Sequence, residues 1–324
     1  MKTFNYILIN FAKMIVLIIL VCIVTFTLAV NSPLDPIRQY VGDGVTVSVE
    51  QREAIAEYWG LNDTKVVRFQ KWFVNILHGD FGKSTIFRRE VLDVIKDRAM
   101  SSLYLMVNTF VLSGVLGYIL GLIMGRYRDS ILDKTIKTIC ITFTATPTFW
   151  VGILMLIIFS VKLNLFPVGF SVPIGIAYED VSFYEKAYHA ILPIITLTMV
   201  FIPNIALHTR SKTVEVIQSD YVLFAIARGE SKKSILKNHV IKNTLIPAIT
   251  ILFGSFSEIF GGSVLAENVF SYPGLGSTIV QAGLGGDTPL LLGITIITAI
   301  FVFIGNFISD LISLLMNPMV REEI

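Results

Sequence analysis

Long apolar runs separated by polar stretches of very unequal length dominate the chain. Six of them can cross a hydrocarbon core as helix, which takes about 20 residues. They are roughly 11–30, 101–124, 138–161, 190–207, 245–266 and 289–315. Pro193 and Pro203 interrupt the fourth, which is also the shortest; prolines are tolerated in membrane helices where neighbours satisfy the freed carbonyls. In the first, Lys2 and Lys13 precede an apolar run longer than a signal-peptide core, and "LAVNS" is a poor cleavage site, so an uncleaved helix is expected. The polar stretch 31–100 has helical periods of its own. Ser48 and Gln51 form a capping-box pattern. Val66, Phe69, Phe73, Ile76 and Leu77 then fall on one helical stripe, with Gly79 placed to stop it.

The runs account for a composition that is 54% apolar and 15% charged, against about 25% charge in a soluble domain. The net charge of +2 gives no case for nucleic acid, but its distribution orients the chain. The loop near 125–137 holds Arg126, Arg128, Lys134 and Lys137, and the loop 208–244 holds seven basic residues between Arg210 and Lys242. By contrast, 162–189 holds only Lys162 and Lys186, and 267–288 holds no Lys or Arg. Basic loops stay in the cytoplasm. The expectation is an all-α integral membrane protein, one domain over 1–324, with six transmembrane helices and both termini inside. Its loop 31–100 is helical and extracellular, and its loop 208–244 is cytoplasmic.

Little in the sequence suggests covalent chemistry. "GDFGKSTI" (79–86) ends like a phosphate-binding loop, but that motif needs a glycine where Leu77 stands, and a helix rather than a strand precedes it. "GLGST" (274–278) is not a nucleophile elbow, because position 276 is glycine. Cys22 and Cys140 lie in apolar runs, and His78, His189, His208 and His239 are scattered, so neither a disulfide framework nor a metal site is expected. A secondary transporter is the alternative of a different class, but no internal repeat is visible.

The most informative polar stretch is 219–247, "SDYVLFAIARGESKKSILKNHVIKNTLIP". It reads as a short helix ending at Gly229, a turn, and a second helix leading to Pro247 at the mouth of the fifth run. Such an elbow suits a groove on a soluble partner; a basic amphipathic loop lying on anionic lipid is equally consistent with the residues.

The stretch resembles the cytoplasmic loop of ABC-transporter permeases that work with a binding protein. The whole chain resembles the first permease of the oligopeptide, dipeptide and nickel importer family. The loop matches at Asp220, Tyr221, Val222, Ala225, Ala227, Gly229, Ser231, His239, Asn243, Leu245, Ile246 and Pro247. Further matches are "SPLDP" (32–36), "WGLN" (59–62), "GDFGKS" (79–84), "TPTFWVGILM" (146–155), "GGSVLAENVFSYPGLG" (261–276), Asp287 with Pro289, and "NPMVR" (317–321). Leu223 and Phe224 depart from the superfamily's glutamate and alanine, and His239 to Lys242 depart from its I-x-L-P ending. The resemblance implies a non-catalytic half-pore that binds no cofactor. Two separate ATPase subunits would use the ATP, and a second homologous permease and an extracellular binding protein would complete the importer. Asp220, Tyr221, Phe224, Ala225, Ile226, Arg228, Gly229 and Ser231 would form the ATPase-coupling elbow, with Phe224, Ile226 and Arg228 as contact candidates. Contact with the binding protein or second permease is expected along 31–100. The cargo implied is peptide, with nickel or another metal chelate as the alternative.

Ionisable groups inside spans mark pathways. Glu258, flanked by Ser255 and Ser257, is the clearest, and it is this sequence's own feature rather than the family's. It either faces the pore or pairs with the partner permease. Gly254, Gly261 and Gly262 are expected to let helices approach closely there. Other candidates for the path are Asn108, Thr144, Thr146 and Asn306, with Thr109, Thr142, Pro147, Thr298 and Asp310 behind them. Asn204, beside Pro203, is placed to satisfy a broken fourth helix.

Overall fold

The computed structural model describes residues 2–31, 37, 48–58, 62–171 and 181–316. The expected stretches "SPLDP", "WGLN" and "NPMVR" lie wholly or mostly outside them. The described residues are almost entirely helical, with one isolated bridge between Lys83 and Glu90. The helices are α1 (Lys2–Val30), α2 (Val49–Tyr58), α3 (Lys65–Leu77), α4 (Val91–Arg126), α5 (Ile131–Thr144) and α6 (Thr148–Met155, continued by the π-helical Leu156–Lys162). They are followed by α7 (Phe183–Ile217), α8 (Asp220–Ala227), α9 (Lys232–Ile235, continued by the π-helical Leu236–Val240) and α10 (Ile241–Gly254). The last three are α11 (Phe256–Val269), α12 (Leu275–Gly285) and α13 (Thr288–Met316).

Among the described residues, four helices are long and apolar enough to cross a membrane alone, those containing Ile7–Val30, Val91–Arg126, Phe183–Ile217 and Thr288–Ile312. The third and fifth runs are bent pairs, which bring the spans to six if each pair crosses once. The uninterrupted third helix expected over 138–161 is therefore corrected. Pro147 lacks an N–H and pushes Thr146 out of the helical region, and α5 and α6 meet at 108°. The fifth run bends by 49° at Ser255, with no proline at the break. There the Ser255 hydroxyl donates back to the Ile251 carbonyl at 3.1 Å, a side-chain intrusion of the kind that kinks helices. Pro193, Pro203 and Pro247 all lie inside continuous helix.

The helices divide between two compact units, one of residues 1–8, 102–273 and 304–324, the other of 9–101 and 274–303. In the first, α7 is the element on which the others lean. It begins at a full capping box, Ser182 with Glu185, and 61% of its most apolar stretch is buried. On one side it meets α4 at Gly117, Gly121 and Gly125. A methyl at Gly121 would fall 2.5 Å from the Thr209 Cβ and 2.7 Å from the Ala206 carbonyl oxygen, and one at Gly125 would collide with the Thr213 Cβ. The spacing is a G-x-x-x-G-x-x-x-G stripe, which lets two membrane helices pack backbone to backbone. At its last contact, where the Arg210 carbonyl oxygen faces Gly125, the Arg210 side chain grips the buried Asp133 of α5 through two 2.6 Å hydrogen bonds, from Nε and from one terminal nitrogen. Of the glycines expected to serve close packing in the fifth run, only Gly262 does, against Phe201. A methyl placed at Gly254 or Gly261 would meet nothing within 4 Å.

In the second unit a buried carboxylate organises the loop. Asp287 starts α13 by accepting from the Leu290 amide at 3.1 Å. It also accepts from the Ser84 hydroxyl at 2.5 Å and the Ile86 amide at 3.0 Å. The serine of "GKST" is thus a structural donor to an aspartate, in a turn whose Gly79 and Gly82 have φ of +83° and +76°. Val91, Val94 and Ile95 of α4 pack there with Leu275 and Ala282 of α12 and Leu290 and Ile294 of α13. The Ser48–Gln51 box forms as expected. Of the stripe on α3, Phe69 lies 5.2 Å from Phe26, which Trp72, outside the stripe, also approaches to 5.1 Å. Val66 and Leu77 are exposed.

These contacts set the expected cost of two kinds of substitution. Gly121→Leu forces α4 off α7 and is expected to cost about 1–3 kcal/mol or more, whereas Gly261→Leu enters open space and is expected to stay within about 0.5 kcal/mol. Thermal unfolding of the purified protein in detergent compares the two. Asp133→Asn strands the Arg210 guanidinium and is expected to cost about 3 kcal/mol, read from the same unfolding curves.

Candidate functional site: a docking elbow and a broken span

The elbow is built by two helix ends and a glycine. α7 runs to Ile217, and Ser219 opens α8 with its hydroxyl donated back to the Val216 carbonyl at 2.6 Å. α8 stops in a Schellman turn. The Gly229 amide donates to the Ile226 carbonyl at 2.9 Å and the Glu230 amide to the Ala225 carbonyl at 3.1 Å, which requires the φ of +84° found at Gly229. Ser231 then caps α9, its hydroxyl accepting from the Ser234 amide. The expected second helix does not end before the fifth run. It continues without a break from Lys232 to Gly254.

One face of α8 is fixed to the protein and the other is bare. Val222 is fully buried with Val216, Ile235 and Val240, and Ala225 is buried too. Of the expected elbow residues, Ala225 therefore belongs to the inner face. Tyr221, Phe224 and Ile226 point outward, 47%, 64% and 51% exposed. Arg228 is also exposed, and its guanidinium lies 5.9 Å from the centre of the Phe224 ring. Leu223, in the sequence only a departure from the family pattern, is 54% exposed beside them. Three contacts brace the elbow from behind. His239 Nε2 lies 3.3 Å from the Glu230 carboxylate, Ser234 donates to the same oxygen at 3.0 Å, and the Tyr221 and His239 rings are 6.1 Å apart.

The second cluster lies at the break in the fifth run. Asn204 of α7 donates to the Ser255 hydroxyl at 3.0 Å, so it serves the break in the fifth run and not the fourth helix. The Ser257 hydroxyl donates to Asn306 Oδ1 of α13 at 2.6 Å. Asn306 is thereby brought one residue from Glu258, whose side chain is exposed. The other path candidates are placed elsewhere. Asn108 donates to the Tyr104 carbonyl, and Thr144 and Thr146 bond the carbonyls of Cys140 and Thr142 one turn back, at the α5–α6 break. A buried carboxylate that the sequence reading passes over is Glu267. It is fully buried and accepts from the Ser102 hydroxyl at 2.6 Å. An ionisable residue inside "GGSVLAENVF" was signal enough to single it out.

Residues 117–322 match the family model described as binding-protein-dependent transport system inner membrane component, and residues 3–106 match the N-terminal model of the same systems. The chain is 30% identical to the oligopeptide transport system permease protein AppB of Bacillus subtilis (strain 168), over 93% of this chain and 94% of that protein. It is also 30% identical to the nickel import system permease protein NikB of Staphylococcus aureus (strain bovine RF122 / ET3-1), over 96% and 90%. Among solved structures, a chain of the MetNI methionine ABC transporter in inward-facing conformations shares the fold. The TM-score is 0.56 and the identity 17%, over 70% of this chain and 97% of that one. With both family models, relatives aligned nearly end to end and the fold in agreement, the chain belongs to the binding-protein-dependent transport system inner membrane component family, and is an integral membrane permease subunit of an ABC importer.

Proposed function

We propose that this permease forms half of a peptide-conducting pore and is driven from its α8 elbow by ATPase subunits bound in the cytoplasm. The observation that carries the proposal is the two-faced α8. Its inner face is locked by Val222 and Ala225, and its outer face leaves Tyr221, Leu223, Phe224 and Ile226 uncovered. Exposed apolar side chains grouped on one short helix mark an interaction site, and aromatic and arginine anchors carry most interface energy.

The elbow hangs between α7 and the unbroken helix 232–254, so a push on α8 is delivered to two spans at once. Those two helices meet again at the Asn204–Ser255 hydrogen bond. Both basic loops are cytoplasmic in this reading, with both termini on the same side. The ATP binds to the partners, and the chain itself makes and breaks no covalent bond. The second, homologous permease supplies the other half of the pore, and an extracellular binding protein delivers cargo against the helical loop 31–100. Peptide is the cargo favoured by likeness to AppB; likeness to NikB supports nickel or a metal chelate as the second reading.

Two experiments test these roles. Deleting the gene is expected to abolish uptake of labelled oligopeptide and leave nickel uptake unchanged, and the reverse pattern selects the metal reading. At the elbow, Gly229 has open space around it but a left-handed backbone, so conformation and not size is the constraint. Gly229→Val, strained by roughly 1–2 kcal/mol, is expected to insert normally but lower uptake about tenfold or more. Gly229→Asn, which tolerates positive φ, is expected to keep most of it. Equal uptake by the two variants contradicts the elbow's role.

A further inference from the structure

A carboxylate within a membrane-spanning segment is costly unless it is paired or meets water. α11 carries two, and the structure treats them oppositely. Glu267 is turned inward onto the Ser102 hydroxyl. Glu258, in the first turn, is exposed, and among the described residues no hydrogen bond or ion pair reaches it.

The direction in which Glu258 points is not one built for lipid. The exposed positions of α11 are Glu258, Gly261, Leu265 and Asn268, whose spacing puts them on one helical face. The exposed faces of α1 and α4 are instead large and apolar, as at Leu20, Val24 and Leu28, or Val107, Val111 and Val115. Glu258 therefore faces either water on the transport path or another subunit.

The position is also held firmly. Asn204 fixes Ser255 on one side of the break, and Asn306 fixes Ser257 on the other. The Phe256 ring lies directly against Gly305, where a methyl would collide with it. A bent helix whose break is tied to two neighbours holds Glu258 in one place, as discontinuous membrane helices hold the groups at their breaks.

We infer that Glu258 is a recognition point on the transport path for the ammonium group of a cationic peptide, an inference that rests on the peptide-import reading above. One carboxylate supplies the single counter-charge an ammonium needs, and charge-assisted hydrogen bonds of this kind are the strong ones. A bare divalent ion would want about six oxygen ligands, more than this break offers.

The test uses the complete importer in proteoliposomes, with second permease, ATPases and binding protein present. Labelled trialanine and its centre-substituted lysine and glutamate forms serve as probes. Glu258→Gln is expected to lower uptake of the lysine form about tenfold relative to the glutamate form, and Glu258→Asp to retain the wild-type order. Changes by one common factor for all three peptides, or no change at all, overturn the inference. So does loss of the second permease on co-purification of the Gln variant, which makes Glu258 an assembly contact. A wild-type importer that moves none of the three peptides overturns the peptide reading itself, a result separable from the others because it precedes any substitution.

Discussion

Backbone-to-backbone contact between α4 and α7, at Gly117, Gly121 and Gly125, is the constraint on which the larger unit depends. Lipid tails are as apolar as leucine, so membrane helices are held by close packing and hydrogen bonds and not by escape from water. With α4 seated on it, α7 becomes a fixed beam, and α5, α6, α10 and α11 all pack against it. The Arg210–Asp133 pair pins α5 at the last glycine contact. The polar bonds across the bundle each use one group on each side: Tyr118 to Thr244, Asn204 to Ser255, Ser257 to Asn306, Ser102 to Glu267. Each leaves fewer polar atoms to face hydrocarbon, where an unsatisfied group is expensive.

A rigid α7 makes the elbow at its end mechanically useful. Only Gln218 and Ser219 separate α7 from α8, and only Arg228 to Ser231 separate α8 from the next helix. That helix absorbs a π segment at 236–240 and Pro247 without stopping, and it yields at Ser255. Force applied at α8 thus reaches the break through continuous helix, and the break carries Glu258. In the proposed importer, the docking surface and the cargo-facing carboxylate are the two ends of one lever.

How much of this was legible in the sequence depends on which physical signal each feature leaves. Spans were readable because about 20 apolar residues are hard to explain otherwise. α8 and its stop were readable because a glycine after a short apolar helix has few other uses. The 108° break at Pro147 was a proline signal hidden inside a strong hydropathy signal. The Ser255 break left almost none, since serine kinks a helix only in the right company. The stripe Gly117–Gly121–Gly125 went unread in the sequence, while Gly254 and Gly261, which were singled out there, meet no neighbour among the described residues. Partners 51 or 77 residues apart, such as Asn204 with Ser255 or Asp133 with Arg210, cannot be paired from one sequence. The fate of Ser84, bound to an aspartate 203 positions away, could be excluded from nucleotide binding but not foreseen.

The most direct measurement of the central claim is thiol protection at the elbow. Cys22 and Cys140 are both buried, so a bulky thiol reagent reports only an introduced cysteine. Phe224→Cys, in the outward face of α8, is labelled in the permease pair alone and compared with the assembly containing the ATPase subunits. Docking through the elbow predicts that labelling at position 224 is strongly suppressed in the full assembly, while the exposed Val49→Cys on α2 labels equally in both. Equal labelling at 224 with and without the ATPases would contradict the claim that the elbow is the coupling surface.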